Sequence, residues 1–115
     1  MSAAPEVPAV DPAEARRRLD AGAVLLDVRE PDEWDTGHAP EATWIPMGDV
    51  GARQGELAGD RPVVVVCRSG VRSAKVTNAL RQAGYDAANL AGGMQAWAAA
   101  GYEVVTDGGE PGAVA

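Results

Sequence analysis

Apolar residues gather in short runs separated by amphipathic segments. The densest run is Val63-Val64-Val65-Val66, four β-branched residues with no polar interruption, which predicts a strand buried on both faces. A polar, Gly-containing loop from Cys67 follows. Beyond it, Ser73 to Ala83 sets Ala74, Val76, Ala79, Leu80 and Ala83 near one face of a helix that Gly84 stops. Upstream, Asp11-Pro12-Ala13-Glu14 reads as a capped helix start with Gly22 as its end. Ala23 to Val28 is of strand length, Glu30 to Thr36 is a short helix closed by Gly37, and Thr43 to Ile45 is a brief strand ended by Pro46. Asp49 to Ala58 is weakly helical. Ala87 to Leu90 reads as a strand, Gly92-Gly93 as a turn, Met94 to Ala100 as a helix stopped by Gly101, and Glu103 to Val105 as a final strand. Strands alternating with helices predict an α/β domain with a mainly parallel sheet over residues 10–105. Residues 1–9 and 106–115 are expected to be tails, the first of them mobile.

Composition narrows the chemistry. The chain has 115 residues, 46% of them hydrophobic and 23% charged, enough for one continuous core and one domain. With no Phe, that core is expected to lean on Val, Leu, Ala and three tryptophans. A formal charge of −7 repels polyanions, so neither nucleic acid nor an anionic membrane surface is an expected partner. No run approaches the roughly 20 apolar residues that span a bilayer, and residues 1–10 lack the features of a secretory signal. A cytoplasmic location is the expectation. The single cysteine allows neither an internal disulfide nor a Cys-based zinc site. The acids from Glu30 to Asp35 lack a calcium-loop pattern and read as a solvated helix face, and Gly92-Gly93 lacks the dinucleotide fingerprint. No metal or cofactor is expected.

Cys67 sits at the carboxyl end of the central strand, where parallel α/β sheets bind ligands because strand ends and helix N-termini converge. Backbone N–H groups from Arg68 to Ser73 are positioned to form a nest around an anion, with Gly70 allowing the curvature. Such a setting lowers a thiol's pKa. Arg68 and Arg72 present planar donor forks suited to an oxyanion. Asp27 and Arg29, near the end of the preceding strand, are expected beside Cys67 as supporting residues, with Asp27 accepting bonds that tie its strand to the loop. His38 follows a helix-ending glycine and reads as turn structure rather than a partner for the thiol.

These residues are similar, in order and spacing, to the motifs of single-domain rhodaneses, the thiosulfate sulfurtransferases. The carriers are Asp27-Val28-Arg29, Glu33-Trp34, Gly37-His38, Cys67-Arg68-Ser69-Gly70-Val71-Arg72-Ser73, and Gly92-Gly93 with Trp97. The resemblance implies a five-stranded, mainly parallel sheet flanked by helices on both faces. It implies a catalytic Cys67 that cycles through a persulfide, with Arg68, Ser69, Gly70, Val71, Arg72 and Ser73 forming the substrate loop. Thiosulfate is the implied donor; cyanide or a thiol, including a partner protein's cysteine, is the implied acceptor. Ala39-Pro40-Glu41-Ala42 departs from the family's usual turn. The chain is also half the size of the two-domain members, leaving a surface open to partners. A sulfur-relay module without turnover and a cysteine-dependent phosphatase or arsenate reductase are the rival readings, although phosphatase loops place five residues between Cys and Arg where this loop has four.

Overall fold

The computed structural model describes residues 7–115. Five strands, β1 (Ala9–Val10), β2 (Val24–Asp27), β3 (Thr43–Trp44), β4 (Val63–Val66) and β5 (Ala87–Leu90), form one sheet in the order β1-β5-β4-β2-β3. Every pairing is parallel. The helices are α1 (Pro12–Asp20), α2 (Pro31–Thr36), α3 (Val50–Arg53), α4 (Val71–Gln82) and α5 (Gly93–Ala99).

The two-residue period of a strand divides the core. Leu26, Val28, Val63 and Val65 face Val50 of α3 and Val76 and Leu80 of α4. Leu25, Val64, Val66, Ala88 and Leu90 face Ala15 of α1 and Met94 and Trp97 of α5. With helices on both faces, β4 has no solvent side, which is why its sequence shows no alternation. Cys67 continues the count from Val63 and Val65, so its side chain falls on the face covered by α4. A slip of one residue would put the thiol on the opposite face.

The strand membership differs from the pattern at both ends of the chain. Ala9 and Val10 pair with Asn89 and Leu90, and Asn89 N–H donates to Pro8 O at 2.8 Å. Order therefore begins before Asp11, and Ala9 is a strand residue rather than part of a mobile tail; residues 1–6 of that expected tail lie outside the described residues. A strand of two residues is too short to show a period, and it exists because the outer edge of β5 offers unpaired backbone groups. Conversely, Glu103 to Val105 joins no sheet. Val105 makes isolated antiparallel bridges with His38 and Pro111.

Residues 106–115 also fold back instead of trailing as a tail. Gly112 N–H donates to Val104 O at 2.9 Å, Ala113 N–H donates to Thr36 O at 3.1 Å, and Val114 packs against the α1/α5 side of the core. Asp49 to Ala58 is helical in pieces, α3 being flanked by 3₁₀ turns at Met47–Asp49 and Gln54–Glu56. No helix among the described residues is long and apolar enough to cross a membrane.

Candidate active site

The β4–α4 loop wraps around the thiol of Cys67. Gly70 N–H donates to Cys67 Sγ at 3.1 Å and Ser73 N–H at 3.4 Å, and Ser73 Oγ lies 3.3 Å from the sulfur. Gly70 adopts φ +104°, a left-handed value that turns the chain so that consecutive N–H groups point inward. Burial pushes the Cys67 thiol pKa up, since only 1% of the residue is exposed. That effect is outweighed by the Ser73 hydroxyl and by the backbone N–H groups of Ser73, Gly70 and Ser69, and the net shift is downward. Hydrogen bonds to sulfur therefore favour the thiolate more than any arginine does.

The loop is held from below. Met94 N–H donates to Cys67 O at 2.8 Å and Gln95 N–H to Arg68 O at 3.0 Å, so the first turn of α5 satisfies two loop carbonyls. Gly93 makes this approach possible: a Cβ there would stand 2.5 Å from both carbonyl oxygens. Gly92-Gly93 is thus more than a turn, because it seats α5 against the backbone of Cys67 and Arg68.

Asn89 anchors the other side. Its Nδ2 donates to Gly70 O at 3.1 Å, and its Oδ1 accepts from Ser73 Oγ at 2.6 Å. Facing a carbonyl, the amide must present its NH₂ to Gly70, which fixes its oxygen toward Ser73. The Ser73 hydroxyl has one hydrogen, so Asn89 and Cys67 compete for it. Asn89 belongs to none of the sequence motifs, yet it carries a signal: a polar side chain inside an otherwise apolar buried strand requires a partner.

The two loop arginines are both engaged. Arg72 forms a paired-donor bridge to Glu33, with Nη1 to Oε1 and Nη2 to Oε2 both at 2.7 Å. This carboxylate lowers nothing on Arg72; it raises the guanidinium pKa further, and Arg72 in turn holds Glu33 at about 2. Glu33 also accepts the Glu30 N–H at 3.0 Å, capping α2. It is therefore a site neighbour and not part of a solvated face, a contact bridging 39 positions in sequence that local pattern does not reveal. Arg68 Nε donates to the backbone oxygen of Ala115. Val71, at the loop's outer edge, is 66% exposed.

Asp27 and Arg29 lie near the loop without joining it. Asp27 pairs with Val66, the residue before Cys67, yet its carboxylate is taken by Arg29, whose Nη2 reaches Oδ2 at 2.7 Å and whose Nε reaches Oδ1 at 3.0 Å. Asp27 does accept a backbone N–H, that of Arg29 at 3.0 Å, and an arginine side chain; what is corrected is the expectation that such bonds would tie its strand to the Cys67 loop. Arg29 also donates to Glu33 O at 3.3 Å and Gly37 O at 2.8 Å, fastening the last turn of α2 and the residue that follows it. Both side chains are 0% exposed, so Arg29 adds no free positive charge to the site. His38 stacks on Trp34 with ring centroids 3.5 Å apart and meets Asp107 Oδ1 at 2.9 Å; its ring nitrogens engage Asp107 and Ala39 O, not the thiol.

The model of the rhodanese-like domain matches residues 11–100. A protein named sulfurtransferase from Allochromatium vinosum is 41% identical over 97 residues, covering 83% of this chain and 91% of its own length. The probable adenylyltransferase/sulfurtransferase MoeZ of Mycobacterium tuberculosis is 43% identical over 94 residues, covering 77% of this chain; the chain spans about a quarter of that relative, 24%. The crystal structure of thiosulfate sulfurtransferase from Pseudomonas aeruginosa superposes with a TM-score of 0.79 at 32% identity, covering 95% of this chain and 22% of that one.

Proposed function

Because this chain belongs to the rhodanese-like domain family, we propose that it moves a sulfane sulfur from thiosulfate to a thiol or cyanide through a persulfide on Cys67. The observation that carries this reading is the ring of donors closed on one sulfur, Gly70 N–H, Ser73 N–H and Ser73 Oγ within 3.4 Å of Sγ. Sulfurtransferase-named relatives and the thiosulfate sulfurtransferase fold support it.

In the first step the Cys67 thiolate attacks the outer sulfur of thiosulfate. An Sγ–S bond forms, the donor's S–S bond breaks, and its electron pair leaves with sulfite. The negative charge of the thiolate is now on the terminal sulfur of the persulfide, and the loop N–H groups that meet Sγ in the resting site are the donors at hand to stabilise it. In the second step a thiolate or cyanide takes that terminal sulfur, and the electron pair of the Sγ–S bond returns to Cys67. The chain has one cysteine, so no second thiol resolves the persulfide and the acceptor comes from outside.

A phosphoryl substrate fits less well. The loop places four residues between Cys67 and Arg72, one fewer than the loops of cysteine-dependent phosphatases, and a smaller ring of donors suits one sulfur better than a phosphoryl group with its oxygens. The experiment is intact mass after incubation with thiosulfate: a gain of one sulfur atom that cyanide reverses and that Cys67→Ser lacks. No gain, or a gain that survives the substitution, overturns the proposal.

A further inference from the structure

Arg72 is the loop's forked cation, and its fork is filled. Both terminal nitrogens bind Glu33, each at 2.7 Å. A sulfonate group has the geometry to accept the same two bonds, so a donor that uses this fork must displace a carboxylate that already does. The pair is placed to open. Arg72 keeps 35% of its side chain exposed and Glu33 15%, and Val71 beside it is open to solvent. Displacement leaves Glu33 unpaired next to the incoming anion. Glu30 adds its field at Arg72, and the whole chain carries a net charge of −7.

We infer that Glu33 is a specificity-determining residue that acts through Arg72, penalising dianionic sulfur donors relative to persulfides of small thiols or of protein cysteines. This rests on the sulfur-transfer reading above. The physical ground is competition for the fork. Thiosulfate needs the fork for its sulfonate, so it must displace Glu33 and then face the freed carboxylate with two negative charges. A persulfide is attacked by the Cys67 thiolate at its terminal sulfur: an Sγ–S bond forms, the donor's S–S bond breaks, and the electron pair leaves with the donor thiolate. That transfer does not use the fork, so Glu33 costs a persulfide donor less. Glu33 never touches the transferred sulfur; it is a positioning residue for the arginine.

Glu33→Gln removes the charge while keeping a side-chain oxygen for the Glu30 N–H that it now accepts. The test compares kcat/KM for thiosulfate and for the persulfide of 2-mercaptoethanol, which carries no charge outside its sulfur atoms, in wild type and Glu33→Gln, with sulfite as a product inhibitor. The expected result is a selectivity ratio shifted toward thiosulfate by about three- to tenfold, residing in KM rather than kcat, as loss of a competitor for the partly exposed fork predicts. Sulfite inhibition tightens in parallel. In an Arg72→Ala background the same substitution shifts the ratio by less than about twofold, because the residue through which it acts is gone. An unchanged or reversed ratio overturns the inference, and so does a shift of full size without Arg72. Should Glu33→Gln fail to fold, Glu33→Ala read the same way replaces it. If wild-type Cys67 is loaded by neither donor, the sulfur-transfer reading falls and this inference with it; if both donors load it and the ratio does not move, only the inference falls.

Discussion

Two arginine–carboxylate pairs stand beside the Cys67 loop, with similar contacts and opposite surroundings. Asp27–Arg29 is closed on all sides, both side chains 0% exposed, and the spare donors of Arg29 are spent on the carbonyls of Glu33 and Gly37. Glu33–Arg72 has equally short bonds but stays open to solvent on the arginine side. The first pair is a lock, since breaking it strands a charge where water does not reach. The second is exchangeable, because solvent or a donor anion can take over what each partner loses. They are also coupled in space: by holding the carbonyls of Glu33 and Gly37, Arg29 fixes α2, and α2 carries Glu33 to the loop.

The largest expected effect tests the lock. Arg29→Ala leaves the Asp27 carboxylate buried without its partner and should cost about 3–5 kcal/mol of unfolding free energy in a urea titration. A loss under about 1 kcal/mol would erase the contrast, for that is the range of exposed pairs. Arg72→Ala tests the other side. It should change unfolding free energy by less than about 1 kcal/mol yet raise the half-saturating thiosulfate concentration by about tenfold, the equivalent of one charge-assisted bond. If half-saturation stays where it was, the arginine does not meet the donor.

Acid sharpens the comparison further. Glu33, held at about 2 by Arg72 against a usual 4.5, binds its proton more readily in the unfolded chain. Its stabilising contribution is therefore complete above pH 4.5 and is lost as pH falls from there toward 2. Comparing the pH dependence of urea midpoints between wild type and Glu33→Gln should isolate a contribution of about 1 kcal/mol after solvent screening. An identical acid slope in the two proteins would mean that the pair contributes nothing to the fold. The smallest effect concerns the thiol. The pH midpoint of Cys67 alkylation should lie below that of an ordinary cysteine, move upward in Ser73→Ala, and move less in Arg72→Ala, because the donors on sulfur and not the paired arginine favour the thiolate. A larger movement in Arg72→Ala than in Ser73→Ala would reverse that ranking.

What the sequence alone determined is the part of the protein that local chemistry dictates. Val63 to Val66 announces a strand buried on both faces, Gly70 announces a left-handed turn, and a lone cysteine between them locates the candidate site. Periodicity, propensity and loop chemistry act over a few residues, so they are visible in a few residues. The tertiary structure decided whatever depends on backbone pairing or on partners distant in the chain. Ala9–Val10 is a strand because the edge of β5 accepts it, and residues 106–115 are folded because Val104 and Thr36 offer carbonyls to them. Glu33, on a helix face that reads as solvated, reaches Arg72 across 39 positions and converts a free fork into a neutral pair. Asn89 and Gly93 likewise support the loop from other strand and helix ends. Which charges near Cys67 remain free is a property of the assembled site, because a charge is neutralised by whatever folding brings within hydrogen-bond reach, and the order of residues along the chain does not state that distance.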